Sequence, residues 1–256
     1  MTDLSINSKQ IQQKQFSNNS EFEYELKDLE VMSVAKNYNN WILDKIGKYI
    51  GKDTIECGAG SGSFAKSILT KYKTNYTGLE PSKNVHKHLE ANLTEFSNTE
   101  FLTKSLPNFF EEVQSSFENQ IDTIIYNNVL EHIKDDQKEL NLAYKTLKKA
   151  GHILTFSPAM QVLYSDYDNS IGHFRRYVLE EMINKVKQSG FEVVEAHYFD
   201  FVGSFLWYLK YKILKSSGLT SNSLSVYDKF VIPILRKIEP SKILPFGKNI
   251  VVIGKK

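Results

Sequence analysis

The chain carries a single cysteine, Cys57, in 256 residues, which excludes an intrachain disulfide and any cysteine-rich zinc site. Cys57 lies inside a glycine-rich stretch, where a small buried residue is its ordinary role and a reactive thiol the less common one. Long apolar runs are missing too. The most apolar stretch is Phe201 to Leu209, far short of the ~18 residues a membrane span requires. The N-terminus is polar and lacks the apolar segment of a secretory leader, so a cytoplasmic location is expected. An excess of one charge is absent as well: Lys+Arg 32 against Asp+Glu 30 leaves a net charge of +2, and no extended nucleic-acid surface is expected. What is present, 41% hydrophobic and 24% charged residues, is ordinary for a globular protein. The length suits one α/β domain with insertions.

Residues 1–20 are rich in Ser, Asn and Gln and are expected to form a mobile arm, with a single domain over 21–256. Val31, Ala35, Tyr38, Ile42, Ile46 and Ile50 recur at three- or four-residue steps, predicting a helix with Gly51 as its C-cap. The stretch from Asp53 to Phe64 then reads D-T-I-E-C-G-A-G-S-G-S-F. A β-type run ends in Glu56, three glycines follow at alternate positions, and a helix-forming segment begins at Ser63. Glycine serves where the backbone must take φ > 0 or come close to a ligand. A strand that breaks into such a turn and opens a helix presents free N–H groups to a nucleoside cofactor at the sheet edge. The dinucleotide fingerprint G-x-G-x-x-G would need glycine at position 63, where Ser63 stands.

Strands are predicted at 75–79, 99–102, 123–126, 152–156, 191–198 and 249–253, with helices between most of them, a pattern that argues for a parallel sheet. The second strand ends in Glu80-Pro81-Ser82. An acid there, about 20 residues past the glycines, can accept both hydroxyls of a ribose; the other reading is a solvated strand-end acid. Pro81 can open the next helix without losing a needed N–H. The fourth strand ends in Asn127 and Asn128, residues that tolerate unusual backbone angles and both donate and accept hydrogen bonds.

The motif E-x-G-x-G-x-G, the acid at position 80 and the block Asn128-Val129-Leu130-Glu131-His132 together closely resemble the class I S-adenosylmethionine (SAM)-dependent methyltransferases. The resemblance covers roughly residues 30–256. It implies an α/β fold, a doubly wound, seven-stranded, mostly parallel Rossmann-like sheet with an antiparallel last strand and helical insertions. It also implies SAM as cofactor, S-adenosylhomocysteine as product, and a cofactor site at Tyr38, Glu56, Gly58, Ala59, Gly60, Gly62, Glu80, Pro81, Ser105, Leu106, Asn127, Asn128 and His132. Tyr38 can equally be a core aromatic, and His132 a packing residue. No metal is expected, because Asn127 and Pro158 stand where a metal-dependent relative would carry carboxylates.

Between the fifth strand and the next helix lies a long loop, 158–178, rich in aromatic and charged residues; such loops at a sheet's carboxyl edge carry function. Its ending, G-H-F-R-R-Y, resembles a motif of a bacterial subset of these enzymes linked to sugar, lipid or secondary-metabolite modification. His173 is the best available general base. Arg175 and Arg176 can grip an anionic group on the acceptor, with Tyr164 and Tyr167 as pocket walls; pairing of the arginines with Asp166, Asp168 or Glu180 is the alternative. A second insertion, 201–247, mixes aromatics with lysines and is expected to join the first as a substrate lid, with a homodimer contact or peripheral membrane contact as the other readings. The expected activity is methyl transfer to oxygen or nitrogen of a small molecule. The alternatives are a non-catalytic SAM-binding partner subunit and an NAD-dependent oxidoreductase. The acceptor itself is not legible.

Overall fold

In the computed structural model, residues 35–113, 119–215, 221–239 and 244–256 are described; the arm expected at 1–20 lies outside them. Seven strands form one sheet: β1 (Asp53–Cys57), β2 (Asn75–Leu79), β3 (Thr99–Leu102), β4 (Ile121–Asn127), β5 (Leu147–Pro158), β6 (Glu192–Phe199) and β7 (Asn249–Lys255). Their order is β3-β2-β1-β4-β5-β7-β6. The first five run parallel, and β7 is antiparallel to both neighbours, as expected. The chain order reverses between β1 and β4, which makes their carboxyl ends the crevice of the fold.

Helices cover both faces: α1 (Lys36–Ile46), α2 (Ser63–Lys71), α3 (His86–Leu93), α4 (Leu106–Val113), α5 (Asp136–Thr146), α6 (Asp166–Ser170) and α7 (Leu179–Gln188). Successive strand residues point to opposite faces, and the apolar runs serve two cores. Ile125, Val251 and Ile253 join Trp41, Ile42, Phe64 and Ile68 on one side. Ile124, Ile250 and Val252 join Leu140, Met182 and Val186 on the other. Near-continuous apolar strands such as Ile250 to Ile253 are what a doubly covered sheet needs.

One local expectation is corrected. Gly51 does not cap a helix; α1 ends at Ile46, a 3-10 turn spans Gly47–Tyr49, and a Cβ on Gly51 would stand 2.3 Å from Asp122 Cβ. Close packing of the Gly51 backbone against the Asp122 side chain explains that glycine. After β4 the chain makes a 3-10 turn, Leu130–His132. The helix α5 starts six residues later, where the Asp135 side chain accepts from Lys138 N at 3.1 Å and so sets the N-terminus. The helix after β3 spans Leu106–Val113.

The second insertion folds as α8 (Phe201–Trp207), running on through a wide turn to Ile213, and as a segment from α9 (Ser221–Val226) to α10 (Ile232–Ile238). It is tied to α1 by a cap from afar. Ala35 offers the N-terminus of α1 no side-chain acceptor, and Asp228 supplies one, accepting from Tyr38 N at 2.8 Å and Asn37 N at 3.0 Å. Among the described residues no helix is long and apolar enough to cross a membrane.

Candidate cofactor and acceptor site

The glycine turn is built by backbone geometry. Gly58, Gly60 and Gly62 have φ of 71°, 54° and 78°, the left-handed region that side chains disfavour. Gly58 N donates to Leu79 O at 2.7 Å, which pulls the turn against the end of β2. A methyl at Gly58 would meet Val129 Cγ2 at 2.6 Å, so the turn also lies against the segment after β4.

Glu80 closes this arrangement. Its Oε2 accepts from Gly60 N and its Oε1 from Ser82 N, both at 2.9 Å. The side chain is 1% exposed, and burial raises its pKa against the pull of those two N–H groups. Each oxygen has taken one hydrogen bond and retains room for another. A buried carboxylate with unused acceptor sites gains from meeting two hydroxyl donors, so the turn and Glu80 fit a ribose-bearing cofactor. Pro81 is exposed beside it.

Glu56 sits lower. It is 2% exposed and accepts a short hydrogen bond from Tyr76 OH. Burial pushes its carboxyl up to about 8, with the Tyr76 bond opposing and the Glu80 charge adding. The unfolded chain loses this proton near pH 4.5 and the folded one near 8. Stability from the protonated form is therefore fully present below pH ~4.5 and lost as the pH rises towards 8. Glu56→Gln is expected to melt close to wild type at pH 5 and above it at pH 8, by an amount on the order of a few kcal/mol. A difference between the two proteins that stays flat across thermal melts from pH 5 to 8 would show that Glu56 is ionised throughout.

Ala59 is buried in the turn and Leu106 in the apolar layer beneath the loop, while Ser105 is half-buried, its carbonyl accepting from Phe109 N at 2.9 Å. Asn127 and Asn128 close the crevice at β4, with Asn128 at φ 55° and its Nδ2 donating to Asn127 Oδ1 at 3.1 Å. Tyr38 stands on the same edge. Its hydroxyl lies 3.1 Å from both Asp200 Oδ2 and Asn249 Oδ1, its ring packs edge-on against Phe156 and Phe199, and the Lys248 ammonium lies 4.7 Å from the ring centre.

A second cluster of side chains gathers around His173. Its Nδ1 stands 3.0 Å from Asp168 Oδ1, an ionised acceptor, so Nδ1 carries a proton and, in the neutral ring, Nε2 carries the lone pair. Asp168 is fully buried. Ser165 N and Oγ bind its Oδ2 at 2.9 and 2.8 Å, and Arg176 Nη2 its Oδ1 at 2.7 Å. Burial alone would raise this carboxyl; the His173 hydrogen bond and the Arg176 charge hold it down at about 2. The expectation that Arg176 reaches an acceptor is corrected. Arg176 is 3% exposed, engaged by Asp168 and covered by the Trp207 ring 4.5 Å away. Arg175 is likewise drawn to Asp136 at 2.7 Å and to the Lys134 carbonyl at 2.8 Å.

Glu131, which the sequence alone did not assign, and His132, expected at the cofactor site, complete the cluster. Glu131 is fully buried and neither carboxylate oxygen has a hydrogen-bond partner. Burial pushes it up to about 7, with the His173 charge opposing. The ring of His132 meets that of His173 edge-to-face at 4.6 Å, and burial, then His173, drive its pKa down to about 3. Phe174 N donates to Glu131 O at 2.8 Å, fastening the 158–178 loop onto the turn after β4. Tyr164 OH donates to His173 O at 2.7 Å. Tyr167 stacks on Tyr211 at 5.1 Å, and Trp207 Nε1 donates to Leu163 O at 3.2 Å, so the two insertions pack on one another. Phe205, Leu206, Leu209, Ile213 and Leu214 face outward from the second.

Residues 48–196 match a family model described as a methyltransferase domain. An uncharacterized methyltransferase of Bacillus cereus is 27% identical over 164 residues, 62% of this chain and 71% of that protein. Among solved structures, a Thermotoga maritima protein described as a SAM-dependent methyltransferase, possible histamine N-methyltransferase, aligns with a TM-score of 0.56 at 17% identity over 87% of this chain and 91% of that one. An Archaeoglobus fulgidus SAM-dependent methyltransferase gives 0.57 at 15% over 87% and 94%. The Haemonchus contortus phosphoethanolamine N-methyltransferase 2, solved with SAM, gives 0.59 at 15% over 91% of this chain and 60% of that one. At these identities the structural likenesses speak for the fold.

Proposed function

The chain belongs to the methyltransferase-domain family, and from that premise we propose that it moves a methyl group from SAM to an oxygen or nitrogen of a small-molecule acceptor. The observation that carries this reading is the placement of Glu80 against the glycine turn, with both oxygens bound to backbone N–H and acceptor sites to spare. When bound, SAM supplies a methyl group activated by its sulfonium.

Within the proposal, Glu80 holds the ribose hydroxyls and the backbone of Gly58, Ala59, Gly60 and Gly62 lies against the nucleoside. Ser105 and Leu106 border the adenine, while Tyr38, Asn127 and Asn128 border the amino-acid end. His173 acts on the acceptor. Held by Asp168 at Nδ1, its imidazole turns Nε2 to a gap shared with Glu131, 3.8 Å away, and an acceptor hydroxyl or amine in that gap would lose its proton to it. Holding the nucleophile in line is the larger contribution. The insertions at 158–178 and 201–247 serve as a lid, with Tyr164 and Tyr167 towards the acceptor.

Isothermal titration with SAM, S-adenosylhomocysteine and NAD tests the reading. One equivalent of each sulfur nucleoside and none of NAD is the expected result. Failure of both sulfur nucleosides to bind would remove the proposal.

A further inference from the structure

Glu131, His132 and His173 form an arrangement that methyl transfer by positioning and a base does not require. One ligand-type atom from each, a carboxylate oxygen and two imidazole nitrogens, lies within 4.8 Å of the others. Both Glu131 oxygens and His132 Nδ1 are buried without a hydrogen-bond partner. Buried polar groups are nearly always satisfied, and unpartnered atoms on two side chains of one such cluster call for a partner. A further mutual donor–acceptor fit is poor. His173 Nε2 stands 3.8 Å from Glu131 Oε1, beyond hydrogen-bond distance, so the two do not satisfy one another directly.

We propose that Glu131, His132 and His173 bind a divalent transition-metal cation at the carboxyl edge of β4. Two imidazoles and one carboxylate suit zinc, manganese or iron(II) and leave coordination positions open, whereas magnesium and calcium favour all-oxygen sets. Asp168 is the outer partner such a site needs: it orients the His173 ring through Nδ1 and is itself fixed by Ser165 and Arg176. Metal–ligand bonds of ~2.1 Å ask the three atoms to close by about an ångström, within reach of side-chain rotation. The carboxylates missing at Asn127 and Pro158 do not exclude this site, because its ligands stand at different positions. The open coordination positions would take an oxygen of the acceptor.

This site rests on the acceptor side assigned above and refines it. With a cation seated, the His173 lone pair is committed to the metal. A coordinated acceptor hydroxyl becomes more acidic and releases its proton to solvent instead of to the imidazole.

The test is cobalt(II) and zinc(II) titration of chelator-treated protein, followed by calorimetry and, for cobalt, by the visible absorption of the bound ion, with SAM affinity measured separately. Wild type is expected to bind about one equivalent. Glu131→Gln, which keeps the shape, and His173→Gln are each expected to bind at least about tenfold more weakly, with SAM affinity within about threefold of wild type. Absence of cation binding by a protein that binds SAM would overturn the cation site alone. So would Glu131→Gln and His173→Gln proteins that bind cobalt as tightly as wild type. Loss of SAM binding in wild type would instead strike at the proposed function and leave the metal result to stand by itself.

Discussion

Glu80→Ala is expected to weaken SAM and S-adenosylhomocysteine binding by at least about a hundredfold. Each hydrogen bond to a charged group contributes roughly 1.5–3 kcal/mol, and a ribose diol on Glu80 makes two, so the loss exceeds ~3 kcal/mol, more than two powers of ten in affinity. The substitution also frees Gly60 N and Ser82 N, which the carboxylate now holds at 2.9 Å. A loosened turn would add to the effect. Glu80→Gln separates the two contributions. One amide oxygen can still accept, so the turn is partly held while one diol contact is lost, and an intermediate affinity is expected. Calorimetric titration, with a thermal melt to confirm that each variant folds, provides the check. An alanine variant that folds and binds SAM within about threefold of wild type would show that this acid does not hold the ribose.

What the sequence discloses here follows from how local each cause is. The glycine turn is legible because its requirement is a backbone one, three positive φ values in five residues, and no distant contact can supply them. The parallel sheet is legible because its strands are apolar on both faces, as in Ile124 and Ile125 of β4, which enter opposite cores. The cap on α1 is not legible, since Asp228 stands 190 residues beyond Tyr38 and only the folded chain brings them together. The boundary at α5 carried a local signal, Asp135 at the N-cap, that the apolar block ahead of it overshadowed.

The cluster around His173 divides in the same way. His173 stood out by residue type, and Glu131 lay within a quoted motif, but its burial without a partner is a tertiary fact. Asp168 was one acid among several in its loop. The capping box from Ser165 to Asp168 was the available sign that this one turns inward. The engagement of Arg176 depends on the loop folding back, Tyr177 N onto Pro158 O at 2.9 Å, so that an arginine which reads as a substrate grip becomes an internal strut.

Asp168→Asn tests that strut, and a large loss of stability is expected. Asp168 Oδ1 takes hydrogen bonds from His173 Nδ1 at 3.0 Å and Arg176 Nε at 2.9 Å, and an ion pair from Arg176 Nη2 at 2.7 Å. An amide keeps the size and loses the charge. Arg176, 3% exposed, is then a buried cation without its counterion, a change that costs about 3–5 kcal/mol and lowers the melting temperature by roughly 10 °C. The wild-type pair has a matching pH signature. With the carboxyl held at about 2 against an ordinary value of ~3.9, its contribution is present above pH ~4 and is lost as the pH falls towards 2. A second variant separates structure from chemistry. Asp168→Asn combined with Arg176→Met removes both charges and is expected to regain much of the stability, because the uncompensated cation is gone. It should not regain the orientation of His173, since the ring's anchor is still altered, and cation affinity should stay weakened by about 10–100-fold. Were the single variant to melt within about 1 °C of wild type, the buried pair would not be holding the loop. Were the double variant to restore both stability and cation affinity, Asp168 would matter to its arginine alone and His173 would be positioned by something else.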